Sequence, residues 1–387
     1  MIGGTKMPNS RPFIHWNRVI NKQEDNYLAW PTIAKANNGE LLVVFSGDRE
    51  THVCPYGKNQ MIRSSDRGET WTDAETINNS PLDDRDTGIV VARSGTIVIT
   101  WFTGISYSDP DTYKDLYPKD YKSWIRHWNK ISNQDKKQFH GYWSRRSVDQ
   151  GITWDRQVHT NVTAPHGPIQ LKNGSLIMVG STNEFDGYRI AATKSLDEGR
   201  SWHLAGIIPM PEEKLSHSKF FCEPHLCELS DGKIVALIRY EPVSDKQSVE
   251  MAITDNETHA PALNEKVYDD WYIHQSESLD GGTTWSSVHK TPILGWPPHL
   301  LNLHDDTVLA TYGIRTTPYG QRACLSHDGG ITWDIRNEIV LRDDAPNGDL
   351  GYPATVEIEP GELLTVYYQA EENGEKPCIM ATRWSLK

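Results

Sequence analysis

The residues of this chain that could do chemistry recur at matching places. Six β-runs open on Trp30, Asp86, His166, Glu223 (with His225 two residues on), His299 and Tyr352. The runs that return from them end at Asp48, Arg49 and Glu50, then Thr103, Asn183, Arg239, Arg315 and Gln369. Taken singly, each is an ordinary solvated strand end. As a set they are unusual, because repeated strands have no need to converge on charges and imidazoles. An arginine-containing convergence in a protein of net charge −13 suits a small acidic ligand. Its carboxylate would be held by guanidinium forks.

What must position these residues is a double repeat. The phrase Ser-x-Asp-x-Gly-x-Thr/Ser-Trp occurs five times, at Ser64–Trp71, Ser147–Trp154, Ser195–Trp202, Ser278–Trp285 and Ser326–Trp333. It reads as a hairpin. The Asp side chain takes hydrogen bonds from its own turn, the Gly adopts a positive φ, and the Trp anchors the returning strand. Six other segments each carry a β-run, a turn and a second β-run, with turns centred on Gly39, Gly95, Gly174, Gly232, Asp306 and Gly361. Five are followed by the hairpin phrase, so each unit supplies four strands. The sixth is one strand short, and Pro12–Ile20 from the N-terminal end can fill the gap beside the segment CIMATRW. The expected fold is therefore all-β. It is a six-bladed β-propeller of four-stranded antiparallel blades, closed by pairing of the N- and C-terminal strands.

The phrases start 83, 48, 83 and 48 residues apart. The 48-residue step is a plain blade, so each 83-residue step carries an insertion. They fall at about 105–140, which is aromatic and helical in character, and at about 241–270, which is polar. Insertions of this kind sit on one rim and can shape a pocket mouth.

One propeller domain over residues 1–387 accommodates this length. The negative net charge argues against nucleic acid or an anionic membrane surface as partner, and no run reaches the ~20 apolar residues of a membrane span. The first residues lack an apolar signal region, which leaves the compartment open. The five cysteines show no metal-ligand spacing and read as buried strand thiols. No metal or other cofactor is expected, since no Ca²⁺ loop or His-Glu-x-x-His is present.

The hairpin phrase resembles the Asp-box of the sialidase (neuraminidase) superfamily, and the resemblance spans essentially the whole chain. It implies a six-bladed propeller and an exo-acting glycosidase that cleaves a terminal acidic sugar. Bacterial exo-sialidases clamp the substrate carboxylate with three arginines, and use a Tyr nucleophile, a Glu that activates it, and an Asp acid/base. Within FCEPHLCELSDGKIVALIRY the resemblance assigns Glu223 and the clamp residue Arg239; within NGDLGYPATVEIEPGELLTVYY it assigns the nucleophile Tyr352. Arg315 and Arg322 compete for a second clamp position, and Arg315 is preferred as a second-strand end. A neutral Tyr hydroxyl suits attack beside a carboxylate, which would repel an anionic nucleophile.

Two roles depart from the pattern. The first clamp arginine is replaced by Trp30, within Ala29-Trp30-Pro31, and Arg49 or Arg85 could restore a third cation. In the acid/base loop the best-matched position is His52, with Asp48 and Glu50 nearby; Asp86 is a further acid candidate. A His can serve near neutral pH without a large shift. Two other functions thus stand beside the sialidase type. One is an enzyme acting on uronic-acid-containing glycans, a rhamnosyl-glucuronate hydrolase or lyase using His52 or another funnel His (His166, His225, His299). The other is a non-catalytic carbohydrate-binding propeller with Trp30 as stacking platform.

Overall fold

The computed structural model describes residues 12–185, 187–211, 221–241 and 271–386. Its strands form six four-stranded antiparallel sheets arranged as blades. Five blades use four consecutive strands each. The sixth pairs the N-terminal strand Phe13–Asn21 with the last strand Cys378–Ser385, Asn17 facing Thr382, so the ring is closed as the repeat count predicts. All six predicted turn centres adopt the left-handed conformation, Asp306 included (φ 67°).

The five repeated phrases form one hydrogen-bonded turn. Ser64 Oγ donates to Asp66 and accepts from the Gly68 N–H, both at 2.8 Å; Asp66 accepts the Thr70 N–H (2.9 Å) and hydroxyl (2.6 Å). The Thr70 bonds favour the charged carboxylate and hold Asp66 down at about 2. The same pattern recurs around Asp149, Asp197, Asp280 and Asp328. These turns join third to fourth strands, at the outer part of each blade, and take no part in the central site.

What aims the central side chains is a bulge near the start of the innermost strands. Register slips between Ala29 and Thr32, Arg85 and Gly88, Cys222 and His225, and Gly351 and Ala354. Within each slip one non-glycine residue is left-handed: Trp30 (φ 55°), Asp86 (52°), Glu223 (48°) and Tyr352 (53°). A bulge of this kind bends the strand and redirects one side chain. In the third blade the corresponding left-handed residue before a proline is Gly167 (φ 72°), not His166. Gly88 must be small there, because a Cβ on it would lie 2.3 Å from the Gly167 nitrogen.

The first insertion folds as the helices Pro110–Tyr113, Tyr121–Trp128 and Asn133–Phe139. Their buried aromatics Tyr117, Tyr121 and Trp124 form a core with Val53, Cys54 and Leu82. The Trp124 indole N–H donates to Glu50 Oε2 at 2.7 Å. The insertion therefore fastens the loop that carries His52. The second insertion, from 242 on, lies outside the described residues.

Candidate active site

A cavity of about 420 Å³ opens at the centre of the ring, and Arg85, Asp86, Glu223, Arg239, Arg315 and Tyr352 all line it. They come from four different blades. At its floor the Tyr352 hydroxyl donates to Glu223 Oε1 at 2.5 Å. Arg239 Nη1 donates to the other oxygen, Glu223 Oε2, at 2.5 Å, and lies 3.4 Å from the Tyr352 hydroxyl. Arg239 Nη2 pairs with Glu241 as well. Burial pushes the Tyr352 phenol well above its ordinary range, and the charge of Glu223 adds to the rise. The resting phenol is thus neutral, with a carboxylate placed to accept its proton.

Asp86 is the second notable carboxyl. Its side chain is buried, and Oδ1 has no hydrogen-bond partner. Burial raises it to about 7, against the pull of Arg85. A carboxyl in that range holds a proton near neutrality and can donate it.

The other acid/base candidates are placed differently. Glu50 is engaged by Trp124, and Asp48 pairs with Lys58 at 2.6 Å. His52 does line the cavity. Its Nε2 lies 3.3 Å from Arg85 Nη2, and a guanidinium can only donate, so the ring proton sits on Nδ1 and points to the Tyr27 hydroxyl at 3.1 Å. Burial, with Arg85 next in weight, holds the imidazole well below its ordinary value. His52 is a neutral acceptor in this arrangement.

The third cation is Arg85. Its guanidinium lies 4.3 Å over the Trp30 ring, and 5.6 Å from the Phe102 ring. Arg49 is fully buried and bound through both terminal nitrogens to Asp83, at 2.6 and 3.1 Å, so it is unavailable to a ligand. Trp30 is only 1 % exposed, which corrects its assignment as a stacking platform for a sugar. The first blade supplies an aromatic support, and its neighbour supplies the charge.

Arg322 is also corrected. It is buried in the third strand of its blade, donates to the Gln321 and Arg342 carbonyls, and faces Glu338 at 3.7 Å. Arg315 does reach the cavity, anchored by Nε to the Leu350 carbonyl at 3.1 Å. Thr103, Asn183 and Gln369 do not line it. Thr103 donates to Asp84, and Asn183 to Tyr142.

The three axial histidines form a layer beneath Tyr352 and are absent from the cavity wall. His225 and His299 stack at 4.3 Å, and His166 meets them edge-on at 5.5 and 5.2 Å. His225 comes two residues after the left-handed Glu223, and strand alternation places it one level further along the axis. Burial holds all three below the ordinary imidazole range, His225 at about 3. They are a neutral plug, not funnel groups. Unfolded imidazoles titrate near 6.5, so below that pH the unfolded chain binds protons that the folded chain refuses. Stability is therefore expected to fall as pH drops from about 6.5 toward 3, by up to about 1.4 kcal/mol per pH unit for each imidazole. Urea unfolding between pH 5 and 8 measures the slope. A His225→Gln variant should flatten it, and an unchanged slope would mean the layer takes up protons while folded.

Missed in the sequence were Tyr27, Tyr368, Glu241 and Asp349. Asp349 accepts from the Tyr27 hydroxyl at 2.8 Å and from the Tyr368 hydroxyl at 3.2 Å. Its signal was proximity to Tyr352, in GDLGY.

This architecture has solved counterparts. A protein of unknown function from Dyadobacter fermentans matches over 98 % of this chain and 100 % of its own, with 23 % identity and a TM-score of 0.73. The intramolecular trans-sialidase from Ruminococcus gnavus, in complex with oseltamivir carboxylate, matches over 99 % and 98 %, with 12 % identity and a TM-score of 0.62. The fold is that of the sialidase propellers. A Hadza microbial sialidase shares it over 93 % of this chain and 66 % of its own length, at 16 % identity and a TM-score of 0.60. No family model and no curated protein sequence matches the chain.

Proposed function

We propose that this protein is an exo-acting glycoside hydrolase that cleaves a terminal acidic sugar, sialic acid or a relative. The observation that carries the reading is the Tyr352–Glu223 contact of 2.5 Å at the floor of a cavity ringed by Arg85, Arg239 and Arg315. The sialidases among its structural neighbours agree with it.

The three arginines bind the sugar carboxylate. Tyr352 Oη attacks the anomeric carbon while its proton passes to Glu223 Oε1, and Asp86 protonates the departing glycosidic oxygen. The glycosyl–Tyr bond is then broken by water, whose proton returns to Asp86, while Glu223 gives its proton back to the phenol. Two displacements retain the anomeric configuration. Positive charge at the ring in each transition state is stabilised by the substrate carboxylate and Glu223.

A second reading is favoured by His52, the one imidazole on the cavity wall among the described residues. A neutral imidazole beside a carboxylate-binding arginine suits a uronic-acid-containing glycan such as a rhamnosyl-glucuronate, opened by hydrolysis or elimination.

Hydrolysis of an aryl α-sialoside, set beside an aryl α-rhamnoside and a rhamnosyl-glucuronate disaccharide, tests both. Release from the sialoside supports the first reading. Turnover of the uronate alone, with an ultraviolet-absorbing unsaturated product, would replace it with the second. Silence on all three, with acidic sugars still bound, would make this a binding propeller.

A further inference from the structure

We propose that Asp349 is the positioning residue of the cavity, orienting Arg85 and Arg315 through two hydrogen-bonded arms that converge on its carboxylate. The first arm runs from Arg85 Nη2 to His52 Nε2 (3.3 Å), from His52 Nδ1 to the Tyr27 hydroxyl (3.1 Å), and from that hydroxyl to Asp349 Oδ1 (2.8 Å). The second runs from Arg315 Nη2 to the Tyr368 hydroxyl (3.4 Å) and on to the same oxygen (3.2 Å). Every donor points toward the carboxylate. Because an ionised carboxylate accepts only, it fixes the direction of both tyrosine hydroxyls, so that Tyr27 accepts the Nδ1 proton that Arg85 already places on His52.

The consequence concerns charge. Three arginines share one small cavity, and such a group needs compensating anions. Direct pairing consumes guanidinium N–H groups: Asp83 takes both terminal nitrogens of Arg49, and Glu223 and Glu241 take one N–H from each terminal nitrogen of Arg239. Asp349 supplies its negative charge through tyrosines instead, so that Arg85 and Arg315 keep N–H groups for a ligand. Arg85 has only a 3.9 Å approach to Asp83, already bound to Arg49. This role rests on the proposed reading of the cavity as an acidic-sugar site.

The test compares wild type with Asp349→Asn in two ways. On an aryl α-sialoside, KM should rise about tenfold or more, with kcat held within about threefold. In ¹⁵N spectra of histidine-labelled protein, with His52 assigned from His52→Gln, the Nδ1–H signal should shift as the Tyr27 hydroxyl loses its fixed direction. Tyr27→Phe and Tyr368→Phe each cut one arm without touching the carboxylate, and serve if Asp349→Asn does not fold. Tyr27→Phe should shift the His52 spectrum, and Tyr368→Phe should leave it alone while raising KM. An unaltered His52 Nδ1–H signal in both Asp349→Asn and Tyr27→Phe overturns the relay. If wild type cleaves no acidic sugar yet Asp349→Asn shifts the His52 Nδ1–H signal, the relay stands and the hydrolase reading falls.

Discussion

Tyr352→Phe should abolish turnover, with kcat down on the order of 10⁴-fold or more, while binding of an acidic sugar stays within a few-fold. The change removes one oxygen atom. The ring remains packed against Trp30 and Tyr368, at centroid distances of 6.4 and 5.9 Å, so the floor of the cavity is preserved. What disappears is the atom that, in the proposed mechanism, bonds to the anomeric carbon and hands its proton to Glu223. Steady-state kinetics on an aryl α-sialoside, with calorimetric titration of the free sugar, separates the two effects. Retained activity in this variant, together with its loss in His52→Ala, would move the chemistry to the histidine.

The next largest effect is expected at Asp86. Asp86→Asn keeps the shape of the side chain and removes the proton that the proposed mechanism gives to the leaving oxygen. Loss of general-acid help costs about 10²–10⁴-fold when the leaving group is a sugar alcohol, and far less for an activated phenol that departs unaided. The pH profile gives the same test a sign. The carboxyl is raised to about 7 by burial, so it is protonated and active below that pH, and the rate on natural linkages should decline as pH rises through about 7. In the variant this limb should vanish. An equal loss on both classes of leaving group, with the limb intact, would exclude Asp86 as the acid.

How much of this could be read beforehand differs between the fold and the site. The ring was legible because its signals are local and repeated: a turn phrase five times over, turn centres in register, and one missing strand with one candidate to fill it. The convergence of Glu223, Arg239 and Tyr352 was legible because Glu223 and Tyr352 open innermost strands and Arg239 closes a second strand, places that recur in every blade. His225 was misjudged, because a bulge separates the residue aimed into the cavity from the one two places on. Sequence alone does not mark where the bulge falls, so His225 looked like a wall residue. Arg49 and Arg322 failed for a different reason. Their partners, Asp83 and the Arg342 carbonyl, lie 34 and 20 residues away, and only the folded sheet reveals that these cations are taken. Asp349 was hidden by the same distance, since Tyr27 and Tyr368 reach it from opposite ends of the chain.

The left-handed residues of the inner strands carry a cost that the scaffold could avoid. For an L-residue that backbone is less favourable by about 1–2 kcal/mol, while glycine takes it freely. The third blade, which offers no side chain to the cavity at this point, uses Gly167. Where Asp86, Glu223 and Tyr352 stand, the same ring forgoes that relief. Glycine at any of the three would make a more relaxed propeller and a disarmed one, so evolution or engineering toward heat resistance alone should drift toward silence at these positions.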